Sequence, residues 1–308
     1  MSLYPPPKDL HAELWTEVPE KFHKRNVRTA WSDKMKFGVT LPAFLEGPSF
    51  DREGNLWLVD IPHGRVFKVS PQREWSLVAE YDGEPNGLKI RKDGQVFIAD
   101  FKHGIMHLDP ATGTVTPHCD RIRLERFKGC NDLCFGRNGD LFFTDQGLTG
   151  LQDPTGRVFR LSPDGRLECL IDTVPSPNGL VPDLDEGNLF VAVTRANQIW
   201  RLPLPVGGGT FKVGVFVQLS GGLAGPDGLA LDCKGNLLVA HAGMGCVWMF
   251  SALGEPLYRI RSTGGLHITN IAFGGPENRH LYITESNGFQ VLRVELPYPG
   301  KPMYSHMD

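Results

Sequence analysis

Six oxygen-bearing side chains recur along the chain at intervals of 40 to 49 residues: Glu46, Asn86, Asn131, Asn178, Asp227 and Asn270. None of these positions holds a histidine or cysteine, the ligands that zinc or copper would call for. Carboxylates and amides together make an all-oxygen set, which suits a hard divalent cation. Ca²⁺ takes six to eight oxygens and completes a partial protein set with water. Two carboxylates also balance a divalent charge, whereas unpaired at close range they would repel. Calcium is therefore the expected cofactor, with Mg²⁺, Mn²⁺ or Zn²⁺ as substitutes. A plainer explanation competes. Asn-Gly and Asp-Gly are common turn dipeptides, so "PNG" at Pro85 or Pro177, taken singly, reads as a turn. Glu46, in "LEGP", and Asn131, followed by Asp132, do not fit that explanation.

For six scattered residues to meet, the chain must repeat. The copies begin "LEGPSFDREGNLWLVD" at Leu45, "PNGLKIRKDGQVFIAD" at Pro85 and "CNDLCFGRNGDLFFTD" at Cys130. They continue with "PNGLVPDLDEGNLFVAV" at Pro177, "PDGLALDCKGNLLVAHA" at Pro226 and "ITNIAFGGPENRHLYITES" at Ile268. Periods of this length are those of propeller blades. Within a copy, a short strand ends at a Gly- or Asn-rich turn, and a continuous apolar run such as "LWLV" or "VFIA" follows. Third strands such as "GRVFKVS" and more variable fourth strands complete the unit. The expectation is an all-β fold, a six-bladed β-propeller with four-stranded blades around a central channel, forming one domain over 1–308. Blades occupy 41–308. Residues 1–40 lack the pattern and are expected to help close the ring by lending a strand to a blade shared with the C-terminal residues. The turn before each innermost strand opens at the channel, which would place the six aligned residues around one mouth.

Loops following the second strands return to that same face. They present His63, His103, Gln146, Arg195, His241 and Ser286 as candidate substrate-side residues, alongside Asn86 and Asn270. Arg195 could grip a substrate carboxylate bidentately. The longest loop, Gln146–Gly156, is a candidate lid or specificity loop.

Composition removes several other classes. A net charge of −3 over 308 residues leaves no basic footprint for nucleic acid or an anionic membrane surface. No apolar run approaches the ~18 residues of a membrane span. "MSLYPPPKDLHAELW" lacks the basic-then-apolar pattern of a secretory leader. None of the six cysteines forms a CxxC pair, so reduced structural thiols and a cytoplasmic setting are expected. Nothing indicates an oligomeric state.

From Leu41 to about Glu295, Glu46 in "EGP", Asn131 in "CND", Asn178 in "PNG" and Asp227 in "GPDG" occur in an order that resembles the senescence-marker-protein/gluconolactonase/luciferin-regenerating-enzyme family. That resemblance implies a calcium-dependent propeller that hydrolyses lactones. It implies Glu46, Asn178 and Asp227 as metal ligands, Asn131 as a fourth ligand or a substrate contact, and Asn86 and Asn270 behind the ligands or on the substrate side. Sugar lactonases of this kind resemble "RxND" at the third copy, with the arginine on sugar hydroxyls. Gly129 stands there in "GCND", which points away from a sugar acid lactone and is similar to the diisopropyl fluorophosphatase and drug-responsive lactonase branches. Ser286 stands where the fluorophosphatase carries a histidine, which weighs against the alternative of an organophosphate hydrolase. The expected reaction is ring opening of a small-molecule lactone, the metal polarising the carbonyl and Asp227 acting as general base or as nucleophile. A third alternative, a non-enzymatic binding platform, would resemble WD repeats, whose "GH…WD" signature is absent.

Overall fold

Short apolar runs rich in β-branched and aromatic residues, fenced by tight turns, fold as strands rather than helices. The turn at Asp51–Asn55 shows how each fence is built: Gly54 N–H donates to Asp51 O at 3.1 Å, and Asn55 N–H donates to the Asp51 carboxylate at 2.8 Å. The second strands that follow, including Leu56–Asp60, Val96–Asp100 and Leu141–Asp145, are buried along their whole length. The computed structural model describes residues 4–307; residues 1–3, at the outer end of the 1–40 extension, and residue 308 lie outside the described residues.

Six sheets form the blades, each with four antiparallel strands. Their innermost strands are Leu45–Phe50, Pro85–Ile90, Cys130–Phe135, Pro177–Pro182, Gly225–Leu231 and Ile268–Gly274. Each packs on the next, and the last returns to the first, so the ring is closed. The protein is a six-bladed β-propeller.

The N-terminal segment stitches that closure. Glu13–Glu17 pairs antiparallel with Gln290–Glu295 as the outer strand of the sixth blade. Lys8–His11 runs parallel to Pro256–Arg261 and gives the fifth blade a fifth strand. Trp15 seals the joint edge-on against Tyr282, with ring centroids 5.0 Å apart. A one-and-a-half-turn helix, Ala30–Met35, follows. Thr29 and Ser32 cap its start reciprocally, and its Trp31 is buried with Phe44 and Ile61 at the entrance to the first blade.

Acidic residues ending the second strands act as clasps. Asp60 accepts the backbone N–H of Phe44 at 2.6 Å and pairs with buried Arg65. Asp145 accepts Gly129 N–H at 2.8 Å and pairs with Arg157. Asp100 accepts Glu84 N–H at 3.0 Å and the Tyr81 hydroxyl at 2.7 Å. Each one fixes the peptide that leads into an innermost strand.

At the other end of the channel, the C-terminal tail crosses the strand ends. Lys301 N–H donates to Leu231 O at 2.8 Å, Arg52 holds Ser305 O at 2.7 Å, and Tyr304 stacks on Phe135 at 5.1 Å. Only a small cavity of about 100 Å³ is left above the tail, walled by residues of all six innermost strands. The cysteines are unpaired. Among the described residues no helix is long and apolar enough to cross a membrane.

Candidate metal centre

Each innermost strand is bulged near its start. Pairing shifts between Glu46 and Ser49, Pro85 and Gly87, Cys130 and Leu133, Pro177 and Leu180, Pro226 and Leu229, and Ile268 and Ile271. A bulge inserts an extra residue and re-aims its side chain. The oxygen-bearing residues therefore sit inside the strands, at the bulges, and not in the turns before them. The strand pairings also correct the alignment in the sixth blade. Ile268 faces Glu285 as Leu45 faces Asp60, so Thr269 is the counterpart of Glu46, and Asn270 lies one residue further along the channel.

That next position forms a second layer: Gly47, Gly87, Asp132, Gly179, Gly228 and Asn270. The glycines of "PNG" and "PDG" make room rather than turns. A methyl group on Gly87 would lie 2.7 Å from Asp132 Oδ1, and one on Gly228 would lie 2.1 Å from Asn270 Oδ1. With that space open, Asp132 and Asn270 meet across the channel. Asn270 Nδ2 donates to Asp132 Oδ2 at 3.2 Å and to Glu46 Oε2 at 2.9 Å. Together they floor the site. The sequence signal for Asp132, which the motif reading passes over, is the Asn-Asp pair where the first, second, fourth and fifth copies carry glycine.

Above the floor, Glu46, Asn131, Asn178 and Asp227 are all buried. Burial pushes the Glu46 carboxyl well above the usual range, and repulsion from Asp227 and Asp132 adds to it. Burial, then Asp132, pushes Asp227 up to about 8, while the Asn178 amide holds it back. Burial raises Asp132 too. Asn178 Oδ1 is buried without a hydrogen-bond partner. Asn131 Nδ2 is held by Gln146 Oε1 at 2.9 Å, and Gln146 is in turn fixed by the Ser176 hydroxyl at 3.0 Å. The Asn131 carbonyl oxygen is thereby left as the atom to offer. Three mutually repelling carboxylates beside an unsatisfied amide oxygen fit an oxygen-seeking cation. Among the described residues no three His, Cys, Asp or Glu side chains form a ligand cluster; half of the oxygens here come from asparagine.

The loop residues have varied places. Ser286 is buried and donates to Leu45 O at 2.8 Å, tying the sixth blade to the first. His63 Nε2 bonds Leu41 O at 3.0 Å, and His103 Nε2 bonds Asp82 O at 2.6 Å. His241 is fully buried, its Nδ1 accepting from Trp248 Nε1 at 3.1 Å and its Nε2 facing Gly222. Asn86 is half-buried at its bulge, and Arg195 is exposed. The Gln146–Gly156 loop is anchored through Thr149, whose hydroxyl donates to Gln146 O at 2.6 Å and accepts Ser176 N–H at 3.1 Å, while Leu148 and Leu151 stay exposed. A side chain at Gly129 would strike the Phe101 ring at 2.6 Å, so an arginine there would have to displace that ring.

The chain also resembles known proteins along most of its length. Residues 44–287 match the model of a family described as the SMP-30/Gluconolactonase/LRE-like region. A gluconolactonase of Zymomonas mobilis is 33% identical over 283 residues, covering 81% of this chain and 77% of its own. The lactonase drp35 of Staphylococcus aureus is 31% identical over 251 residues, covering 76% and 73%. The solved structure of XC5397 from Xanthomonas campestris, described as a gluconolactonase, superposes with a TM-score of 0.73 at 25% identity, covering 83% of this chain and 86% of that one.

Proposed function

The chain belongs to the SMP-30/gluconolactonase/LRE-like family, and from that membership we propose that it is a lactone hydrolase dependent on a divalent cation, with calcium as the ion. The observation that carries the cation is the buried set of Glu46, Asn131, Asn178 and Asp227, with Asn178 Oδ1 unsatisfied and the carboxylates destabilised by one another. These four would hold the ion. When bound, it supplies Lewis acidity toward the lactone carbonyl and neutralises the carboxylates.

The chain's own groups then do the following. Gln146 and Asn270 orient Asn131 and Glu46 from behind. Asp227, ionised once the site is filled, takes a proton from water. The water oxygen bonds to the acyl carbon, the ring C–O bond breaks, and the departing ring oxygen takes up the proton, giving a hydroxy acid. In the nucleophilic alternative, an Asp227 oxygen bonds to the acyl carbon first and water cleaves the resulting anhydride. Single turnover in H₂¹⁸O that places label in Asp227 identifies the nucleophilic route with water attacking the aspartyl carbonyl, which general-base catalysis cannot produce.

The proposal is tested with a panel of γ- and δ-lactones, with and without chelator. Hydrolysis that chelator abolishes and calcium restores is the expected result. Full activity in chelated, metal-free protein would overturn the cation's role.

A further inference from the structure

Two cations face the mouth of this site without a carboxylate partner of their own. Lys36 comes from the N-terminal extension, outside both the repeat and the region matched to the family. It follows directly on the capped helix Ala30–Met35. Its ammonium lies 4.4 Å from the centre of the Phe44 ring, 5.7 Å from that of Trp31, and 3.4 Å from His267 Nε2. Phe44 immediately precedes the innermost strand of the first blade, and His267 that of the sixth, so Lys36 stands over the entrances to both. Burial lowers its pKa, as happens to an ammonium whose lost hydration is only partly replaced. His267 gives no charge in return: burial, reinforced by Lys36, drops its pKa to about 4, and the ring is neutral.

Arg195 comes from the fourth blade, after its second strand. It lies in the short turn Thr194–Ala196, and Thr194 donates to the carbonyl of Pro226, the residue before Asp227, at 2.8 Å. Among the described residues its guanidinium makes no hydrogen bond or ion pair, and it is exposed. Both cations act on the carboxylate of Asp227. Once a divalent ion balances Glu46 and Asp227, and Lys89 faces Asp132, Lys36 and Arg195 remain as two uncompensated positive charges. A part-buried ammonium without a carboxylate partner is costly, and an unpaired guanidinium acting on the same carboxylate offers an anion a second contact.

We propose that Lys36 and Arg195 select a lactone bearing a second, negatively charged group, held between the two cations while the ring carbonyl meets the metal centre. This rests on the lactone-hydrolase reading and deepens it. Lys36 determines specificity, and the N-terminal extension exists on this face to deliver it.

The test uses calcium-loaded, full-length protein and a pair of γ-lactones identical except that one carries a ring carboxylate and the other its primary amide. Wild-type protein is expected to favour the carboxylate by about tenfold or more in kcat/KM, through KM, as one charge-assisted hydrogen bond allows. Lys36→Met and Arg195→Met should each collapse that preference toward unity, and Lys36→Arg should restore most of it. No preference in wild type would overturn the proposal. So would equal loss on both lactones, which would mean that the cations serve the carboxylate formed in every turnover. A non-hydrolysable probe, 3-oxocyclopentanecarboxylate, gives the second readout by calorimetry. It should bind wild type about tenfold more tightly than Lys36→Met. Should neither lactone be hydrolysed, the lactonase reading fails, and the calorimetric comparison still decides whether the anion site exists.

Discussion

Raising the pH of the cation-free protein should destabilise it, the reverse of what ionising carboxylates usually do. The carboxyl of Asp227 stands at about 8 in the folded chain against an ordinary 3.8. Between those values the native state keeps a proton that the unfolded chain has released, so stability falls as pH rises. The slope is about 1.4 kcal/mol per pH unit for that one group. Across the full interval the loss is on the order of 5 kcal/mol, and Glu46, shifted in the same direction by burial and by its neighbours, adds to it. For a chain of this size that amounts to roughly 10 °C in Tm. Calcium should abolish the dependence by replacing the proton, and should add about 4 kcal/mol at a thousandfold excess over Kd. The assay is a thermal melt from pH 5 to 9, in chelator and in millimolar calcium, with Asp227→Asn alongside. In chelator the wild-type Tm should fall with pH, more steeply than that of the variant. Calorimetry near pH 7 in buffers of different ionisation enthalpy should show proton release on calcium binding. A wild-type Tm that is flat in chelator, or calcium binding without proton release, would refute the reasoning.

Asp227→Asn should also abolish lactone hydrolysis while keeping the fold, read by steady-state kinetics beside circular dichroism. Asp132→Asn relieves repulsion on both Glu46 and Asp227; it should raise the Tm of cation-free protein at pH 8 and weaken calcium binding by about tenfold, measured by calorimetry. Trp15→Ala should cost about 3–5 kcal/mol in a denaturant melt, because it opens the joint between the N-terminal strand and the sixth blade.

The ring of blades was legible because every copy carries the same apolar run and turn, and a repeat that cannot bury its faces alone has few ways to fold. The mouth of the channel was legible for the same reason. The sixth copy was misjudged by one residue, because "ITN" holds its asparagine beside a threonine and only strand pairing shows which of the two matches Glu46. Several loop residues proved to be occupied: Ser286 in a tie to Leu45, His63 in a tie to Leu41, and Gln146 behind Asn131. Type and order along a chain do not reveal which way a loop side chain turns. Lys36 and His267 carry no signal in the sequence. One lies outside the repeat, and the other precedes a strand in a stretch that no motif marks.

The C-terminal tail and the Asp132–Asn270 contact lie across the channel on the side away from Lys36 and Arg195. A lactone and the hydroxy acid made from it would then share the mouth at which Lys36 and Arg195 stand, and the newly formed carboxylate would leave past them. The grip that favours arrival also delays departure, so accumulated hydroxy acid will compete with fresh lactone, and turnover will be governed by how readily that exit clears.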